Sequence, residues 1–277
     1  MAVKKGNYIS GSIADVVFRE NKGQQIIQSA PVKNIKRTIA SKKSADIFGK
    51  SSSLSEIIRH LFEYVIIGFH DTSMVNRLIK SLQTILSHYC DAQTGTYDFN
   101  QNSFSRLNGF DFNLSSPLNE SLWLSPESTL EKNTITITVP EMKIPKEFRF
   151  PEDTSSCIID VMVNFYHLEK GIMMHLNPEI RRIEVLKTQA VLARQDLVFD
   201  APAGCLCIAV IGLRYFAVRY NHTLPYNSKV FHPAGICAAY ITPGTFDIKN
   251  IKKWYERGPV FTAASGRSST TDQASLR

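Results

Sequence analysis

Between Leu54 and Leu86, apolar residues recur three and four apart, and that spacing fixes what this part of the chain can become. Leu54, Ile57, Ile58, Leu61, Phe62 and Val65 line one helical face. Met74, Val75, Leu78, Ile79, Leu82, Ile85 and Leu86 line another. Thr38 is placed to cap the first helix, because its hydroxyl accepts a hydrogen bond from a free N–H of the first turn. Gly68 suits the end of that helix, since it tolerates positive φ. Asp71, Thr72 or Ser73 then caps the second. Gly49 and Ser51–Ser53 leave two alternatives: they admit another backbone closely, or they split the first segment in two. A connection this short makes the helices antiparallel neighbours.

Strand patterns flank the helices. Ile13 to Phe18 and Gln24 to Gln28 enclose a turn at Arg19–Gly23 and read as a β-hairpin arm, followed by a basic linker, Val32 to Arg37. Downstream, Thr134 to Val139 alternates strictly. Cys157 to Tyr166 is apolar apart from Asp160 and Asn164, and Ile180 to Gln189 alternates again. Cys205 to Val218 is the most apolar run, interrupted at Gly212, and Gly235 to Ile241 closes the series. The expected fold is α+β: a hairpin arm and an antiparallel helix pair, followed by an antiparallel β-sandwich. The expected divisions are 1–37 (arm and linker), 38–90 (helical hairpin), 104–245 (sandwich) and 246–277 (a short helix over Ile248–Arg257 and a polar tail). The sandwich is expected to fold by itself.

With 277 residues, 43% of them hydrophobic, the chain can build a core for two modest domains or one large one, and global disorder is excluded. The net charge of +7 is concentrated. Lys4, Lys5, Arg19, Lys22, Lys33, Lys36, Arg37, Lys42, Lys43, Lys50 and Arg59 precede His60, opposed only by Asp15, Glu20, Asp46 and Glu56. This asymmetry points to nucleic acid or an acidic surface of another subunit, the alternative being a solvated basic face. No apolar segment follows Lys4 and Lys5, and no run reaches the roughly 20 apolar residues of a membrane helix. Synthesis in the cytosol without a signal peptide, and no membrane insertion, are therefore expected.

Catalytic chemistry is not signalled. Neither a glycine-rich phosphate loop nor a nucleophile elbow is present. Cys205 and Cys207 share a strand face, and Cys90, Cys157 and Cys237 lie apart without ligand spacing. All five read as buried thiols, with no metal, cofactor or catalytic residue expected. Asp160 lies among apolar neighbours and needs a partner, for which Arg181, Arg182, Arg214 and Arg219 are candidates. A structural ion pair is the reading. Tyr215, Phe216, Tyr220, Tyr226 and Phe231, interleaved with Arg214, Arg219 and His222, either stack on bases or sugars or form core and rim.

One resemblance joins these pieces. Gly11, Val17, Phe18 and Gly23 match a hairpin pattern, followed by Ser29, Pro31 and Lys36. Thr38, Ala40, Ser41, Lys42, Ser44, Ala45, Phe48 and Gly49 then match a T-x-A-[ST]-K-x-S-A-x-x-F-G helix start. The phrase Gly109-Phe110-Asp111-Phe112-Asn113 carries F-[DE]-F-N. In these residues the chain resembles a group of uncharacterised proteins found mainly in Bacteroidota. It departs from them at Ala30, where relatives tend to have a basic residue before the proline. The resemblance implies a fold outline and no activity, and families of this two-part build often look phage-like or assembly-related.

The functional expectation is a non-enzymatic structural or assembly protein that forms homo-oligomers through its arm. The partner-binding residues would be Val17, Phe18, Ile26, Lys33, Lys36, Arg37, Lys42 and Lys43. The alternative is a nucleic-acid-binding protein that uses the same basic third.

Overall fold

The computed structural model describes residues 2–21, 23–30, 38–174, 179–247, 254–256 and 258–264. They form an α+β fold with antiparallel strand ladders. The chain divides into two compact units, Met1–Ser44 and Ala45–Arg277.

The first unit holds a four-stranded sheet in chain order: β1 (Val3–Lys5), β2 (Tyr8–Ile13), β3 (Val16–Asn21) and β4 (Gln24–Ser29). The expected hairpin is present as β3 and β4, joined through Gly23 at a φ of 77°. Two further strands precede it. The segment Ile13 to Phe18, expected as one strand, is broken because the chain reverses at Ala14 (φ 48°), so that Ile13 and Val16 pair across the turn. Lys22 and the linker Val32 to Arg37 lie outside the described residues.

The helical segment follows as α1 (Ile39–Leu61), α2 (Glu63–Ile66) and α3 (Met74–Tyr89). Thr38 caps α1, its Oγ1 accepting the Ser41 N–H at 3.1 Å. Helix α1 runs unbroken through Gly49 and Ser51–Ser53. A Cβ on Gly49 would meet no atom within 4 Å, so neither a split nor a close approach at this glycine occurs. Buried Ser51 donates its hydroxyl to the Ile47 carbonyl at 2.7 Å, which satisfies it inside the helix. Ile67 and Gly68 both take positive φ and turn the chain. Asp71 then accepts the backbone N–H and the hydroxyl of Ser73 ahead of α3.

The remaining strands are β5 (Phe110–Asp111), β6 (Glu127–Glu131), β7 (Thr134–Val139), β8 (Met142–Lys143), β9 (Ser156–His167), β10 (Ile172–Met174), β11 (Glu179–Leu186), β12 (Val191–Leu192), β13 (Gln195–Asp200), β14 (Leu206–Arg219), β15 (His222–Pro225), β16 (Ala234–Ile241) and β17 (Trp254–Glu256). An eight-stranded sheet is ordered β17-β10-β9-β14-β16-β5, with β11 beside β9 and β15 beside β14. A three-stranded sheet is ordered β13-β7-β6, and β12 pairs with β8. The short helix expected over Ile248–Arg257 is corrected where the chain is described: Trp254–Glu256 is a strand on the open edge of β10. Its backbone groups complete that edge, which outweighs the weak helical pattern. Residues 248–253 and 257, and the tail beyond 264, lie outside the described residues.

Strands β9 and β14 explain the two longest apolar runs, because both faces of each are largely buried. Met162, Tyr166, Leu206, Ile208 and Val210 share a cluster with Leu54, Phe62, Leu78 and Leu82 of the helical segment. Ile159, Val161, Val163, Ala209 and Ile211, on the other face, share a second cluster with Ile135, Ile137, Val139 and Phe199. Gly212 does not interrupt the strand, and the register shift of β14 against β16 lies between Ala209 and Val210. Gly212 instead makes room for Val65, whose side chain a Cβ at this position would strike. Among the described residues, no helix is long and apolar enough to cross a membrane.

Candidate interaction surface

The arm sheet of the first unit is a single layer. None of the described residues of β1 to β4 is buried. Directly paired residues in antiparallel strands point to the same side, so the register sorts the arm into two faces. The pairs Ile13–Val16, Gly11–Phe18 and Phe18–Ile27 place Ile13, Val16, Phe18 and Ile27 on one face, joined by Ile9 two residues before Gly11. The pairs Lys5–Tyr8 and Arg19–Ile26 place Lys5, Tyr8, Arg19 and Ile26 on the other, together with Val17. The first face is apolar at its centre, with Ile9, Ile13 and Ile27 exposed by 40%, 58% and 63%, and it carries Lys4 beside Ile9 and Glu20 beside Gln25. The second is cationic and carries no carboxylate among its described residues.

Local hydrogen bonds make the layer self-consistent. The β2–β3 ladder stops at Gly11–Phe18. Beyond it, the Gln25 amide reaches over from β4, accepting the Ile9 N–H at 2.6 Å and donating to the Ile9 carbonyl at 3.0 Å. Tyr8 donates its hydroxyl to the Gly23 carbonyl at 2.6 Å, and Glu20 accepts the Gly23 N–H at 3.1 Å. The outer edges, β1 and β4, keep backbone groups open to strand addition.

The expected partner residues are therefore only partly brought together. Val17 and Ile26 share a face, whereas Phe18 lies on the opposite one against Ile27. Lys42 is exposed and Lys43 half-buried on the first turns of α1, and Lys33, Lys36 and Arg37 lie outside the described residues. Strand β2 and its Ile9 were missed and Ile13 was assigned to the strand that follows, although the alternation Ile9, Gly11, Ile13 carries the signal.

In the second unit, Asp160 is buried and bound by two arginines. Arg214 donates Nε and Nη2 to its two oxygens, the second at 3.0 Å, and Arg182 donates Nε at 3.2 Å. Both guanidinium groups lie against the Tyr64 ring, and Arg182 also donates to the Tyr64 hydroxyl at 2.7 Å. Cys205 and Cys207 lie in the same buried cluster, and burial pushes both thiols up. Burial likewise pushes the Cys237 thiol up to about 12. All five cysteines are unbridged. Tyr215 is core, donating its hydroxyl to the Arg149 carbonyl at 2.9 Å, while Tyr226 and Phe231 pack at its rim and Tyr220 stands 95% exposed. Among the described residues, no three His, Cys, Asp or Glu side chains gather as a metal site requires. A cleft of about 260 Å³ lies between Glu56, Arg59, His60, Glu63 and His70, where both signs of charge mix and select no single ligand charge.

No family model, curated protein or solved structure matches this chain.

Proposed function

We propose that this is a non-enzymatic assembly protein whose first unit, Met1–Ser44, joins copies of the chain to one another. The observation that carries the reading is the arm: four strands with an apolar patch of Ile9, Ile13, Val16, Phe18 and Ile27 on one face, flanked by Lys4 and Glu20, and no buried residue among those described. A sheet of this size gains independent stability by covering its hydrophobic face. The corresponding face of a second arm is a self-complementary cover, as in aligned sheet packing. The second unit is read as a β-sandwich body with one helical side. Support for this comes from the cluster that Ile135, Ile137 and Phe199 share with Ile159, Val161 and Ile211.

Charge favours a second reading, nucleic-acid binding. Nine Lys and Arg against two Asp and Glu lie in Met1–Ser44, so the whole net charge of +7 belongs to that unit. Phosphate contacts would make such binding fall steeply with salt. Deletion of residues 1–31, followed by sedimentation velocity, tests the first reading. The full chain is expected to form higher-order species and the truncated chain a folded monomer. If both assemble alike, the arm is not the connector. If truncation removes only salt-sensitive retention of DNA or RNA, the second reading takes its place.

A further inference from the structure

The outward face of the three-stranded sheet is a second surface, with Glu127, Thr129, Glu131, Asp196, Val198 and Asp200 exposed. The register of β6, β7 and β13 sets three rows across it: Glu127–Thr138–Asp196, Thr129–Thr136–Val198 and Glu131–Thr134–Asp200. Carboxylates occupy the four corners, threonines run along the central strand, and Val198 is 51% exposed. The alternate residues of these strands, Ile135, Ile137 and Phe199, point inward to the core, so the rows face away from it. Asp196 is matched by Arg194 at 3.1 Å and by the Thr138 hydroxyl at 2.6 Å. Glu127, Glu131 and Asp200 have no ion-pair partner among the described residues.

We infer that this face receives the cationic face of the arm, with Lys5, Arg19, Val17 and Ile26, from a second copy of the chain. The inference rests on the assembly reading above. Two observations select this occupant. One is charge: Lys5 and Arg19 lie on this face of the arm with no carboxylate beside them, and Glu127, Glu131 and Asp200 lie on the sheet face with no cation paired to them among the described residues. A cationic arm and a sheet face with carboxylates at its corners are thus complementary parts of one sequence. The sizes also correspond: β2, β3 and β4 have 6 residues each, as do β7 and β13, and β6 has 5. The apolar face of the arm stays available for the arm–arm contact. A polyanion is repelled by this surface, so it selects protein over nucleic acid.

The test is a charge exchange in the full-length chain, read by sedimentation velocity at low and high salt. Glu127→Lys with Asp200→Lys, and separately Lys5→Glu with Arg19→Glu, are each expected to raise the concentration for half-assembly by about tenfold or more, and the four changes together to restore it. The isosteric pair Glu127→Gln and Asp200→Asn, checked by circular dichroism, gives a smaller loss in a chain whose fold is undisturbed. If either charge-reversed pair assembles as the parent does, or the combination restores nothing, the inference is overturned. In that event, Ile13→Asp with Ile27→Asp decides the wider reading. Loss of assembly keeps the arm as connector at another surface, and unchanged assembly rejects both. If Lys5→Glu with Arg19→Glu abolishes only retention on DNA or RNA, the arm binds nucleic acid and the inference falls.

Discussion

His232 donates its Nε2–H to the Val65 carbonyl at 2.6 Å across 167 positions of sequence. The tautomer follows from the other nitrogen. Asn227 accepts the Tyr215 N–H at its Oδ1, so its Nδ2 is the donor to His232 Nδ1, at 2.8 Å, and leaves the proton on Nε2. The ring is fully buried. Burial lowers its pKa below the ordinary 6.5; the Val65 hydrogen bond works the other way and the Arg214 charge adds to the lowering. The folded state therefore holds this imidazole neutral, while the unfolded chain takes up a proton below 6.5. Stability is complete above that pH and declines as pH falls toward the folded value. Urea midpoints are expected to drop between pH 7 and pH 5, and His232→Gln to flatten the slope while costing about 1–3 kcal/mol at neutral pH. Some slope will persist, because burial lowers the His167 pKa with the same sign. A variant as steep as the parent would remove His232 from this account.

Asp160 predicts an asymmetric response. Its side chain is 2% exposed, against 25% for Arg214 and 55% for Arg182. Burial works to lower the Arg214 pKa, but the hydrogen bond and charge of Asp160 outweigh it and leave the value raised. Asp160→Ala strands a half-buried guanidinium and is expected to cost about 3–5 kcal/mol, whereas Arg182→Ala removes a solvent-screened contact worth about 1 kcal/mol or less. Equilibrium unfolding of the two variants checks this. Equal losses would mean that Arg182 shares the charge as closely as Arg214.

Gly212 and Val65 predict coupling between helix α2 and the central strand. A Cβ at residue 212 meets the Val65 side chain, so Gly212→Ala overpacks a site with no open space and should cost about 1–3 kcal/mol. Val65→Ala leaves a gap there. The double variant should be more stable than the sum of the two losses, since each change relieves the other. Additive losses in urea denaturation would show that α2 gives way without reference to β14.

The periodicities carried much of this fold, because they report which faces are buried. The helices were legible in that way, turn chemistry pointed to Gly23 and Gly68, and Arg182 and Arg214 were two of the four arginines open as partners of Asp160. The edge strand Trp254–Glu256 was not, because its cause is an open edge on β10, far away in sequence. Gly109-Phe110-Asp111-Phe112-Asn113 stood out as a phrase without a purpose. The fold makes it a latch, with Asn113 donating to the carbonyls of Phe69 and Lys229, at 3.0 and 2.9 Å, and Arg77 donating to the Asp111 carbonyl at 3.0 Å. The acidic face escaped sequence reading altogether. Glu127 and Glu131 reach Asp196 and Asp200 only through the register of β7 between them. The alternation of Glu127-Ser128-Thr129-Leu130-Glu131 was the available hint.

Strand pattern alone suggests that a chain beginning at Asn102 folds, since the alternating strands lie beyond that point. The packing argues otherwise. Met162, Tyr166, Leu206, Ile208, Val210 and Ile236 are each at most 2% exposed and share their cluster with Leu54, Phe62, Met74, Leu78 and Leu82. Removing the helices returns one face of β9, β14 and β16 to water. Each large apolar side chain so exposed costs about 1.5–3 kcal/mol, and several together reach the roughly 5–15 kcal/mol that holds a domain folded. The truncated chain is expected to keep strand signal in the far-ultraviolet, lose near-ultraviolet structure, bind a hydrophobic dye and melt without cooperativity. Cooperative melting with an intact near-ultraviolet spectrum would mean that the opposite cluster, built on Ile135, Ile137 and Phe199, suffices to hold both sheets.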